Sequence, residues 1–140
     1  MNKQLSVLLA DEKSEVALTL VSELKKNMMD VKVCEKSGAT LLQLVENKTP
    51  DVIIIYMGSN DCASGSVTKE MFDKGYSQML ENLQTLCPNS EIILMTLCTS
   101  PFYDRTEQLA YNEIIKTKAK DFNLSCIDIS QASLSGHLVD

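Results

Sequence analysis

A three-layer α/β/α domain on a parallel five-stranded sheet, order 2-1-3-4-5, is the fold class this sequence predicts. Three observations carry that expectation. Short apolar runs alternate with longer amphipathic segments along the whole chain. Two of the runs, "DVIIIYM" (51–57) and "EIILMTLC" (91–98), are apolar at successive positions, as strands buried on both faces of a parallel sheet must be. No repeat, low-complexity tract or linker interrupts the alternation, so right-handed crossovers place a helix between successive strands.

Each element follows from its own pattern. "LSVLLA" (5–10) reads as the first strand. Ala17, Leu20, Val21, Leu24 and Met28 then recur at helical spacing and mark one buried face. "DVKVC" (30–34) alternates like a strand near an edge, and "SGATLLQLVENK" reads as a short helix entered through Gly38, with Leu41, Leu42 and Val45 inward. After the central strand 51–57 comes the most periodic helix, its stripe formed by Phe72, Tyr76, Met79, Leu80, Leu83, Leu86 and Cys87; Pro88-Asn89 stops it. Beyond strand 91–98, Asp104 and Glu107 form a D-x-x-E helix start. The helix that follows is expected to bury Leu109, Ile114, Ile115, Ala119 and Phe122. "LSCIDI" (124–129) is a fifth strand, and the residues after it are polar and without pattern. The arrangement is flavodoxin-like, and ligands in such sheets bind beyond the carboxyl ends of the strands, at the switch point beside strand 1. A site therefore belongs among Asp11–Ser14, Cys34–Thr40, Gly58–Gly65, Cys98–Asp104 and the tail after Ile129.

The bulk composition narrows the function. With 140 residues, 44% apolar and 23% charged, the chain suits one globular domain with a substantial core. A net charge of −6 with 13 dispersed basic residues argues against a nucleic-acid or anionic-membrane surface. Lys25-Lys26 and the set Lys116, Lys118 and Lys120 read as solvated helix faces. No run approaches the ~20 apolar residues that span a bilayer. Met1 to Ser6 is polar and Val7 to Ala10 too short for a secretory signal, so a cytoplasmic location is expected. The five cysteines include no C-x-x-C and no metal-like spacing with the single histidine, His137. Unbridged, mostly buried thiols are expected, with no metal and no cofactor.

The stretch "SGATLLQLVENKTPDVIIIYMGSND" (37–61) carries chemistry. From here to its end the chain resembles the SGNH (GDSL-type) hydrolase superfamily of esterases, lipases, acyl thioesterases and carbohydrate deacetylases. "SGAT" resembles the family's second block, whose glycine N–H lines the oxyanion hole; the resemblance implies that role for Gly38. "GSND" resembles the third block, G-x-N-D, and implies that Asn60 donates a second hydrogen bond while Asp61 orders the loop. "CPNSEIILMT" and "YNEIIKTKAKDFNLSCIDIS" resemble the later strand–helix–strand. Acyl transfer passes through a tetrahedral oxyanion, and each fixed donor aimed at it lowers the barrier by roughly 3–4 kcal/mol.

The attacking half of that site does not match. The family's first block, G-D-S, places a serine directly after strand 1; in "LLADEKS" that position is Glu12 and the glycine is Ala10. Ser14 lies two residues further on and suits a helix start better than a nucleophile. The last block, D-x-x-H, supplies the base and its orienting carboxylate. His137 has Leu134 three residues before it, whereas aligning "LVD" makes Asp140 the block's aspartate and leaves no histidine after it. The expectation is one SGNH-hydrolase-like domain, 1–140, lacking the D-x-x-H segment. It is related to enzymes acting on ester, thioester or O-acetyl groups and has weak or absent activity. Gly38 and Asn60 are its oxyanion donors, with Ser14, His137 and Asp140 the remaining candidates, and its substrate, if it is active, is a small acyl ester. A shortened last helix would bare one sheet face, so homo-oligomerisation is expected.

The first third also resembles response-regulator receiver domains: "VLLADEKSEVALTLVSELKK" carries an acidic pair, Asp11 and Glu12, and "EIILMT" ends at Thr96. The phospho-accepting aspartate would fall at Tyr56, and "IDISQAS" offers no lysine after strand 5, so a phosphorylatable receiver is excluded. The alternative to a hydrolase is thus a non-catalytic interaction module, either pseudo-receiver-like or an engineered chimera. Cys34, Cys62 and Cys98 fall at carboxyl ends of strands, where acidic surroundings would raise a thiol pKa; they read as small buried hydrophobes.

Overall fold

The computed structural model describes residues 4–11, 15–34, 38–58, 62, 67–98 and 104–130. In chain order these form β1 (Ser6–Asp11), α1 (Glu15–Lys26), β2 (Asp30–Cys34), α2 (Gly38–Asn47), β3 (Val52–Tyr56), α3 (Lys69–Leu86), β4 (Glu91–Met95), α4 (Arg105–Asp121) and β5 (Ser125–Ile127). The strands make one parallel sheet in the expected order, β2-β1-β3-β4-β5. Leu9 of β1 pairs with Val33 on one side and Ile54 on the other, and Ile54 pairs in turn with Ile93. β1 and β3 are therefore interior strands, buried almost completely from Val7 to Ala10 and from Ile53 to Tyr56.

The step from β1 to β2 runs opposite to the later steps, so right-handed crossovers put α1 on one face of the sheet and α2, α3 and α4 on the other. α2 contacts α3 and α3 contacts α4, which completes that outer layer. α3 is entered through Thr68, whose hydroxyl accepts from the Met71 N–H at 3.1 Å. Phe72, Tyr76, Leu80 and Leu83 lie buried on its inner face, each such side chain stabilising the fold by about 1.5–3 kcal/mol. The Phe72 ring packs on Tyr111 of α4, centroids 4.4 Å apart. α4 starts at Asp104, whose carboxylate accepts from the N–H groups of Thr106 (2.8 Å) and Glu107 (3.2 Å), as the D-x-x-E signal implied.

Several expectations need correction. Met28 is not on the buried stripe of α1: it is 76% exposed and has φ +65°. It is the left-handed residue that ends the helix, with Met28 N–H donating to Lys25 O and Met29 N–H to Leu24 O. Leu86, the last residue of α3, is exposed; Leu109 is exposed as well, because the inner stripe of α4 is Gln108, Tyr111, Asn112, Ile115, Lys118 and Ala119. On it, Asn112 serves backbone groups that an apolar residue would leave unpaired. Lys118 is not solvated either; it is buried and ion-paired with Asp73 of α3, which joins the two helices. The expected strands 91–98 and 124–129 stop earlier, at Met95 and Ile127, where side chains take over from the ladder. The five cysteines form no disulfide; four are buried and Cys126 is exposed. Among the described residues no helix is long and apolar enough to cross a membrane.

Candidate functional site

At the carboxyl edge of the sheet, Asp11 pairs with Tyr56 and Ala10 with Cys34, so β1 ends between β2 and β3. α2 starts at Gly38 on the return from β2, presenting its first-turn N–H groups at this edge. β3 leaves the sheet through Gly58, with φ +125°, a backbone conformation that L side chains rarely adopt. A Cβ there would lie 3.0 Å from two ring carbons of Phe72 and 3.7 Å from Leu97 Cδ2. Cys62 N–H donates to Gly58 O at 2.9 Å, so the two ends of the 58–62 stretch are tied together. The glycine heads the G-x-N-D segment, and Cys62 directly follows it.

The ends of β3 and β4 are cross-linked by side chains. The buried Tyr56 hydroxyl lies 3.4 Å from Cys98 Sγ and accepts from the Cys98 N–H at 3.4 Å. Asn112, buried on α4, holds Leu97 from both sides: its Oδ1 accepts from Leu97 N–H at 2.7 Å and its Nδ2 donates to Leu97 O at 3.0 Å.

Asp128 organises the end of β5. Its Oδ1 accepts from the hydroxyl of the fully buried Thr96 (2.9 Å) and from Ser130 N–H (2.9 Å), while Oδ2 faces Lys116 Nζ at 3.3 Å. Thr96 Oγ1 in turn accepts from Ile129 N–H at 2.8 Å. The Ser130 hydrogen bonds, followed by those of Thr96 and Lys116, hold the Asp128 carboxyl well below the usual carboxylate range. The same contact, with Glu113 adding to it, raises the Lys116 ammonium. Nearer β3, burial pushes the Cys62 thiol up, and Glu107 and Asp104 add to the effect. Cys62 is a thiol rather than a thiolate at neutral pH, in keeping with its reading as a buried small residue.

Of the residues singled out in the sequence, Gly38 is placed at the first position of α2, on the carboxyl edge. Asn60, Ser14, His137 and Asp140, with Glu12 and Asp61, lie outside the described residues. Sequence reasoning passed over Asn112, Asp128 and the Phe72 contact of Gly58. A signal existed for the first two: an asparagine inside an otherwise strong helix former, and a lone carboxylate between isoleucines at a strand end. Among the described residues no group of three His, Cys, Asp or Glu side chains is gathered as a metal site. A cavity of about 120 Å³ at the amino end of β1 and β2, beside Asp30, Leu44 and Lys48, lies away from this edge.

The GDSL-like Lipase/Acylhydrolase family model matches residues 19–139. No curated protein matches the chain in sequence. Among solved structures, esterase EstA from Pseudoalteromonas sp., in a structure inhibited by monoethylphosphonate, superposes with a TM-score of 0.65 at 14% identity over 88% of this chain and 76% of that one. AlinE4, an SGNH-hydrolase family esterase, gives 0.67 at 18% identity over 91% and 77%. The Clostridium thermocellum family 3 carbohydrate esterase gives 0.69 at 12% identity over 92% and 80%. At these identities the likeness is one of fold.

Proposed function

The chain belongs to the GDSL-like lipase/acylhydrolase family, and we propose that its carboxyl edge is an acyl-hydrolase site whose oxyanion-binding half is intact. In this reading the Gly38 backbone N–H and the Asn60 side-chain amide receive the oxyanion of an ester, thioester or O-acetyl substrate. The observation that carries it is Gly58, whose left-handed backbone packs on Phe72 and whose carbonyl is tied to Cys62 N–H. A glycine so constrained at the head of G-x-N-D fixes where the loop starts and ends, which an oxyanion donor requires. Glu12 at the position of the attacking serine makes turnover weak or absent. A carboxylate cannot replace an activated hydroxyl, and its charge opposes a developing oxyanion. An oxyanion hole without its nucleophile retains about 10³–10⁴-fold acceleration over water.

Hydrolysis of p-nitrophenyl acetate tests the reaction, and binding of methylphosphonate, a tetrahedral anion, tests the site without turnover. Any hydrolysis should fall by about 10²–10³ in Asn60→Ala and be unchanged in Ser14→Ala; loss in Ser14→Ala would assign the attack to a displaced serine. Methylphosphonate should move the Gly38 amide resonance, and Asn60→Ala should abolish that response. Equal responses in the native chain and Asn60→Ala would sink the oxyanion assignment and favour a non-catalytic interaction module.

A further inference from the structure

A cavity of about 360 Å³ opens between the stretch that follows β3, the first turn of α3 and the first turns of α4. This is near the small end of ligand pockets, about 300–1,000 Å³. Among the described residues, Cys62, Val67 and Tyr111 give it apolar walls, and Thr68, Lys69, Glu70 and Glu107 are polar. The walls are held in place: Tyr111 Oη donates to Val67 O at 3.0 Å, and Thr68 caps α3. Lys69 Nζ meets Glu107 Oε1 at 3.1 Å, both side chains part-exposed, so one ion pair spans the polar rim. Cys62 is the residue whose N–H is tied to Gly58 O, so the cavity begins two residues along the chain from Asn60.

Resting on the acyl-hydrolase reading above, we propose that this cavity takes the acyl chain of the substrate, and that the chain it takes is short and carries no negative charge. Length is limited by the volume and by the Lys69–Glu107 pair across the rim. Charge selection follows from the lining: Lys69 is used by Glu107, which leaves Glu70 in excess, and Asp104 lies close enough to act on Cys62. Among the described lining residues, a carboxylate on the acyl chain would enter a negative field whose one cation, Lys69, is already paired. Acetyl, propionyl and butyryl groups fit these limits; succinyl and other dicarboxylic acyl groups do not.

Uncharged amides test this without any hydrolysis. Butyramide titrated into the isotope-labelled full chain should shift the amide resonances of Val67, Thr68, Lys69 and Tyr111. Succinamate, similar in length with a terminal carboxylate, should bind at least about tenfold more weakly, the effect of one nearby like charge. Val67→Trp, which fills the cavity from its wall, should abolish the butyramide response and leave the Gly38 response to methylphosphonate intact. The surface pair Lys69→Ala with Glu107→Gln should open the rim and strengthen binding of the longer hexanamide several-fold. Equal binding of butyramide and succinamate, or a butyramide response that survives Val67→Trp, would overturn the assignment. So would hexanamide binding unchanged in the opened variant. Because methylphosphonate and butyramide report on different residues, failure of the acyl cavity is separable from failure of the oxyanion site.

Discussion

Gly58 and Phe72 leave each other no room: a β-carbon on the glycine would stand 3.0 Å from Cε1 and Cζ of the ring. The residue on which the chain leaves β3 is thereby seated on the first buried side chain of α3, and loop geometry is coupled to core packing.

Gly58→Ala should be costly for two separable reasons. The left-handed backbone penalises a side chain by about 1–2 kcal/mol, and overpacking against Phe72 adds about 1–3 kcal/mol. Urea unfolding should show a loss of about 2–5 kcal/mol, the sum of those two effects. Phe72→Leu in the same chain should recover only the packing part, read from a double-mutant cycle.

Asn112→Leu keeps the branched shape and removes both hydrogen bonds to Leu97. Each unpaired buried backbone group costs about 1–3 kcal/mol, so the variant should lose about 2–6 kcal/mol by urea unfolding. The Leu97 amide should exchange faster in the variant than in the native chain, beyond what global destabilisation explains.

Asp128 should make part of the stability depend on acid. Its folded-state pKa is depressed by hydrogen bonds from Ser130 and Thr96 and by Lys116. The stabilisation is therefore fully present above the unfolded carboxyl value, about 3.9. It is lost as pH falls from there through the folded value. The unfolding midpoint of Asp128→Asn should lie below that of the native chain at pH 7, and the gap should narrow as both are titrated below pH ~4.

Glu12→Ser should give the site a hydroxyl where the family carries its nucleophile and remove an opposing charge. Hydrolysis of p-nitrophenyl acetate should rise about tenfold or more, equivalent to about 1.4 kcal/mol off the barrier. Mass spectrometry should find an acyl group on residue 12. An unchanged rate with no adduct would show that position 12 does not face the acyl carbon.

The sheet order and the inner face of α3 were legible because they rest on patterns that span many residues: the isoleucines of β3 and the Phe72-to-Leu83 stripe can be buried in only one way. The end of α1 was not, since Met28 belongs to the apolar pattern yet sits in a left-handed turn that only backbone geometry reveals. Lys118 misled for a related reason. Its charge suggests solvent, but its partner Asp73 lies on a different helix and only the packing of α3 on α4 brings the two together. Of the candidate site, the segments that begin at Gly38 and Gly58 could be singled out from their residue types. The clamps of Asn112 and Asp128 left only the faint trace of a polar residue in an apolar setting, because the groups they hold, the Leu97 backbone for one and Thr96, Ser130 and Lys116 for the other, are brought to them only by the fold.

The two-handed grip of Asn112 on Leu97 lets one side chain impersonate a neighbouring strand. Past Met95, Thr96 N–H still reaches β5, donating to Ile127 O at 3.1 Å, and beyond it Asn112 keeps the Leu97 peptide groups paired where the ladder has ended. One carboxamide thus lets the chain run on past its ladder without stranding polar backbone in the interior.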